Sequence, residues 1–150
     1  RGLGDVYKRQ LKNCIDVYHY HEKENTPFFD HIQTIPTTDK YEARDVAASA
    51  LNISVDGKYI LASNAGENSV ALYEIQPESG ELERLFCLPI SGEYPKDASL
   101  FPDNKHLVCL NHESNTMTFF TVDLDKKVII MNGKELTVKQ PNCIIFHEMK

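Results

Sequence analysis

The stretch SNAGENSVALYEI, Ser63 to Ile75, returns 47 residues later as LNHESNTMTFFTV, Leu110 to Val122. Asn64 answers to Asn111, Asn68 to Asn115, Ser69 to Thr116, Leu72 to Phe119, Tyr73 to Phe120 and Ile75 to Val122, with no gap. A polar loop and the apolar strand after it recur together. Accidental self-similarity in a β-sandwich would repeat the alternation of a strand, but it would not carry turn, loop and strand along in register. The period is therefore a structural unit.

Working outward, the unit has four strands. SALNISV (Ser49 to Val55) is followed by the tight turn Asp56-Gly57-Lys58 and a second strand from Tyr59 to Ser63. The NAGENS loop leads to Val70–Ile75, and QPESGE turns the chain into Leu82–Ile90. Each run is short, rich in β-branched or aromatic residues, and bounded by turn formers. The second copy reads Lys96–Phe101, the turn PDNK, His106–Leu110, the loop NHESNT, Met117–Val122, and a last strand over Val128–Val138 bent at Asn132-Gly133. Upstream, CIDVYHY and FDHIQTIPT match the third and fourth strands, with HEKENTP as their turn; downstream, Gln140-Pro141-Asn142 answers to Tyr94-Pro95-Lys96 and CIIF opens another unit.

A period near 47 with four strands per unit predicts an all-β fold, a β-propeller. SVALYEI and TMTFFTV are apolar on both faces, as a blade between two others requires. The expected division is the outer half of one blade over 11–44, a second blade over 45–91, a third over 92–139, and the first strand of the next from 140 to 150. Two and a half to three blades cannot close a ring, so the expected partners are missing N-terminal blades of the same protein. Residues 1–10, RGLGDVYKRQ, lack the apolar core of a signal peptide. They resemble the translated read-through of a sequencing adapter, so they are expected to lie outside the natural fold.

Composition narrows function. The net charge is −6 with acids and bases interspersed, and no basic stripe or arginine cluster gives a nucleic-acid footprint. No apolar run approaches the ~20 residues that span a bilayer. Cys14, Cys87, Cys109 and Cys143 are far apart and set among apolar residues, so all four are expected to be reduced, buried and cytoplasmic rather than disulfide-bonded or zinc-binding.

The residues ISVDGKYILASNAGENSVALYEI, the segment Gly92 to Asp97 with its YPKD, FPDNKHLVCLNHESNTMTFF and PNCIIF together resemble the lactonase family of seven-bladed propellers, the 6-phosphogluconolactonase-like proteins. The resemblance covers Cys14 to Phe146. It implies the last blades of seven, a sugar-lactone cleft at one mouth of the central channel, and hydrolysis of 6-phosphogluconolactone to 6-phosphogluconate in the pentose phosphate pathway, without a cofactor. It also implies a histidine where this chain has Asn52, an arginine where it has Ala65 in SNAG, and an arginine where it has Lys96 in YPKD.

Lactone hydrolysis is acyl transfer to water. It needs a base, a donor for the developing oxyanion and, for a phosphorylated sugar, a cation. No G-x-S-x-G elbow, H-E-x-x-H helix or EF-hand loop is present. Lys96 is the candidate oxyanion or phosphate contact, set against a plain rim lysine. Asn52 could orient water, or be a satisfied inner-strand amide. His112-Glu113 stands where the other unit has Ala65-Gly66, and such a break in a repeat suits a base and its partner, or a solvated loop pair. Asn64 and Asn111 could bind substrate, though their equivalence in the repeat favours capping of the loop backbone. Asp45 is a candidate channel carboxylate. His19 and His21 share one strand face, which allows a metal pair but offers no third ligand, and no metal is expected. His147 is expected to be inert. The alternative to an enzyme is a non-catalytic propeller, a ligand-binding or scaffold module that has lost the family's cations.

Overall fold

The structure, a computed structural model, describes residues 12–39 and 47–147 in full and the backbone of residues 5–9. Its strands fall into three antiparallel sheets. The first holds β1 (Asp5–Arg9), β2 (Cys14–Lys23) and β3 (Thr26–Pro36), in that order. The second is β4 (Ala47–Ile53), β5 (Tyr59–Ala65), β6 (Ser69–Ile75) and β7 (Leu82–Pro89), a simple meander. The third repeats it with β8 (Pro95–Leu100), β9 (His106–Asn111), β10 (Thr116–Asp123) and β11 (Val128–Met131), and β12 (Leu136–Thr137) returns to pair with β10. The sheets stack face to face as consecutive blades.

Alternation within each strand builds the two inter-blade cores. In the second blade Leu61, Val70 and Leu72 pack against Ala98, Leu100, Leu107, Cys109, Phe120 and Val122 of the third. Their neighbours in sequence, Ile60, Ala62, Ala71 and Tyr73, point the other way, onto Ile15 and Val17 of the first. Side chains one apart in a strand take opposite faces, so a strand apolar at every position can serve two neighbours. Tyr73 is fully buried, and its hydroxyl donates to the Pro36 carbonyl at 2.6 Å, tying two blades. Burial pushes its phenol well above the ordinary value. In β10, by contrast, buried and half-buried residues alternate, as in a strand with one face in a core and the other less covered.

Several expectations change. HEKENTP is mostly strand: the turn is only Glu24-Asn25, both left-handed (φ 53° and 58°), as a two-residue hairpin loop of the primed kind demands. CIIF joins no ladder, since a first strand needs a second beside it; the segment is instead tethered by the Ile144 N–H to Asp97 at 3.0 Å and by Phe146 against Phe101 at 4.7 Å between ring centroids. Cys14 and Cys109 are buried and Cys87 is half-buried, but Cys143 is exposed, because it lies on that unladdered tail. Residues 5–9 pair along β2 from Cys14 to Tyr18, where a blade's second strand would stand. An open strand edge accepts any extended backbone, whatever its sequence.

Candidate functional site

In this topology the first-to-second and third-to-fourth turns lie at one end of the blades. The second-to-third corners and the connections from one blade to the next lie at the other. Lys96, Asn64, Asn111, His112 and Glu113 all map to this second end; Asp45 lies outside the described residues.

The inner strands carry the same irregularity there. In β4 the register shifts between Ala48 and Ala50, opposite Asn64 and Ser63; in β8 it shifts between Pro95 and Asp97, opposite Asn111 and Leu110. The extra residue is Ser49 in one blade and Lys96 in the next. A bulge bends a strand and re-aims the side chain it carries. The Ser49 hydroxyl donates to the Lys96 carbonyl at 3.0 Å, joining the two bulges, while Lys96 itself is exposed. Its ammonium lies 5.4 Å from the centroid of the Tyr94 ring, within cation–π range.

Tyr94 adopts φ 56°, a left-handed conformation that an aromatic residue rarely takes. Three contacts hold it. Its N–H donates to Asn68 Oδ1 at 2.9 Å, its carbonyl accepts from the His112 N–H at 3.0 Å, and Pro95 follows. The next blade repeats the arrangement: Gln140 has φ 45°, donates its N–H to Asn115 Oδ1 at 3.0 Å, and precedes Pro141.

The other candidates occupy settings of different kinds. Asn52 commits its amide to the inner strand of the next blade, donating to Asp97 Oδ1 at 2.6 Å and to the Ala98 carbonyl at 2.9 Å. Asp97, nearly buried, also accepts from the N–H groups of Ala98 and Ile144, so one carboxylate links the inner strands of two blades and the tail. Asn64 and Asn111 are fully buried. Asn64 donates to the Thr37 carbonyl and Asn111 to the Ser91 carbonyl, at 2.8 and 3.0 Å. Both therefore lock the connection from the preceding blade, in keeping with their repeat equivalence. Gly92, with φ 109°, lies so close that a Cβ there would meet the Asn111 amide nitrogen at 2.2 Å.

His112 is half-buried, and its Nδ1 faces the Pro141 carbonyl at 3.4 Å. A carbonyl only accepts, so the tautomer that makes this contact donates from Nδ1 and leaves Nε2 without a hydrogen. Pro141, not Glu113, orients the ring; the Glu113 side chain is exposed, while its N–H donates to the Glu93 carbonyl at 3.3 Å and its carbonyl accepts from the Asn115 amide at 3.2 Å. Ala65 is 1 % exposed, so a packed methyl group fills the position where the resemblance implies a cation. His19 and His21 stack at 6.0 Å on the exposed β2–β3 hairpin, with His21 beside Asp30; among the described residues no cluster of three or more His, Cys, Asp or Glu side chains could hold a metal. His147 is exposed.

Residues 9–146 match the family model described as lactonase, 7-bladed β-propeller. The chain belongs to this family. Among curated relatives, an uncharacterised protein of Lactococcus lactis subsp. cremoris is 29% identical over 138 residues, covering 91% of this chain and 39% of its own length. The 6-phosphogluconolactonase of Bacillus subtilis is 25% identical over 118 residues, 79% of this chain and 34% of that protein. Among solved structures, a Lactobacillus plantarum protein superposes with TM-score 0.83 at 23% identity, over 97% of this chain and 42% of that one. The periplasmic gluconolactonase of Pseudomonas aeruginosa gives 0.76 at 21%, over 89% and 36%. These structures confirm the propeller fold, and the chain spans about two fifths of the length of the curated relatives it matches.

Sequence reasoning missed Tyr94, Asn68, Ser49 and Asp97. Asn68 and Asn115 stood in the repeat as equivalents, which was a usable signal. The backbone strain at Tyr94 has no signature beyond the proline after it.

Proposed function

We propose that the complete propeller hydrolyses a sugar lactone, with 6-phosphogluconolactone the first candidate, and that Lys96 and His112 act at the mouth described above. The observation that carries the reading is the Lys96 ammonium, placed by a bulge at the channel end of an inner strand and held near a strained tyrosine. Water attacks the lactone carbonyl carbon while His112 Nε2 takes its proton. Lys96 stabilises the oxyanion that forms or holds the phosphate. The ring C–O bond then breaks, the leaving ring oxygen receives the proton from His112, and the acid ionises. The names of relatives support the substrate class, and that substrate belongs to the pentose phosphate pathway of the cytoplasm. Asn64 and Asn111 serve as backbone locks in this scheme.

A second reading, a non-catalytic sugar-binding propeller, is favoured by Ala65 and by the Asn52 amide, whose two bonds to the next blade leave it structural. The test is the rate of 6-phosphogluconolactone opening with the complete protein, beside unphosphorylated gluconolactone. Hydrolysis well above spontaneous opening, faster for the phosphorylated sugar, supports the enzyme. Binding without turnover supports the module.

A further inference from the structure

We propose that Asn68 is the positioning residue for Lys96, acting through Tyr94 from the neighbouring blade; this deepens the lactonase reading and rests on it. Asn68 ends the second-to-third corner of its blade in the left-handed conformation, φ 55°. Its carbonyl accepts the Ile90 N–H at 2.8 Å, which fixes the end of its own blade. Its side-chain oxygen accepts the Tyr94 N–H at 2.9 Å, which fixes the start of the next.

Left-handed backbone at a bulky residue is strained and persists only where the surroundings impose it. Here the Asn68 acceptor on one side and the His112 N–H on the other impose it. Tyr94 then presents its ring to the Lys96 ammonium two residues on, across the bulge. A long lysine side chain otherwise samples many rotamers, and ordering it in advance removes that loss at the moment of reaction.

The same device recurs one blade later. Asn115 has φ 56°, its carbonyl accepts the Val138 N–H at 2.9 Å, and its side-chain oxygen accepts the Gln140 N–H. A clasp built twice from the same residue type is a feature of the blade, and in the first instance a cation rests on it.

The experiment follows the Lys96 ε-methylene protons by NMR in the complete propeller, alongside kcat and KM for lactone opening. Packed by the Tyr94 ring, these protons resonate upfield of an ordinary lysine. Asn68→Gly keeps the left-handed backbone and removes only the acceptor; the upfield shift is then lost and kcat/KM falls roughly tenfold to a hundredfold. Asn68→Asp keeps an acceptor oxygen and restores both. Asn115→Gly, which opens the other clasp, leaves the Lys96 shift in place. A shift retained in Asn68→Gly, or lost equally in Asn115→Gly, overturns the assignment. Should Asn68→Gly not fold, Asn68→Ala, which has no side-chain acceptor, takes its place with the same outcomes. If the unmodified protein itself opens no lactone, the lactonase reading falls, and the pattern of shifts alone decides the clasp.

Discussion

Removing the Asp97 carboxylate tests the joint between inner strands most sharply. In the intact structure it accepts from the Asn52 amide at 2.6 Å, from the Ala98 N–H at 2.9 Å and from the Ile144 N–H at 3.0 Å. Asp97→Ala strips the acceptor from all three. Hydrogen bonds to a charged group contribute about 1.5–3 kcal/mol each, and a buried donor left bare costs about 1–3 kcal/mol. Against this, the variant no longer desolvates a carboxylate that is 6 % exposed, and the Asn52 amide keeps its bond to the Ala98 carbonyl. The net loss expected is about 3 kcal/mol. Asn52→Ala removes one of the three donors and costs about half as much. The two changes share a partner, so their effects fall short of additive. Urea unfolding of the complete propeller measures this as a shift in midpoint at unchanged slope. A loss below about 0.5 kcal/mol for Asp97→Ala, the range of an ordinary surface change, would refute the role of Asp97 as a link between blades.

Gly92→Ala is expected to destabilise by about 3 kcal/mol, since the new methyl group meets the Asn111 amide and the backbone sits at φ 109°; Gly80→Ala, with open space around it at φ 74°, loses about 1 kcal/mol by the same unfolding assay. The turn carboxylates Asp56 and Asp103 are held below the ordinary 3.8, Asp56 chiefly by the Ser54 hydroxyl and Asp103 chiefly by the Lys105 N–H. A depressed acid stabilises the fold above its unfolded value and loses that contribution as pH falls through its folded value. Thermal melts are therefore flat near neutrality and decline below about pH 4, with carbon-detected NMR titration placing both midpoints under the free value. The chain of 150 residues, with Ile130, Leu136 and Ile145 exposed on its last sheet and tail, is expected to self-associate with rising concentration in light scattering. A monodisperse monomer would contradict that.

The fold was legible because its unit is written twice. Loop, turn and strand recur at one spacing, and the apolar faces of SVALYEI announce neighbours on both sides. The strand ends were less legible. The second strand runs to Ala65 rather than Ser63, and the β2–β3 hairpin absorbs most of HEKENTP, because polar residues form a ladder readily once a partner strand lies alongside. The end of the blades bearing Lys96 and His112 could be placed from the repeat alone. What those residues touch could not. Asn52 is drawn off by a carboxylate 45 residues away, and the His112 ring turns to a carbonyl 29 residues on. Such contacts depend on how blades stack, which no local pattern encodes.

The central claim is that Lys96 supplies the charge on which lactone opening depends, and kcat/KM for 6-phosphogluconolactone in the Lys96→Ala complete propeller tests it most directly. A drop of about a hundredfold, in the range for loss of one oxyanion contact, with recovery in Lys96→Arg, is the predicted result. A full rate in Lys96→Ala would contradict the site, and no rate above spontaneous opening in the unmodified protein would contradict the enzyme.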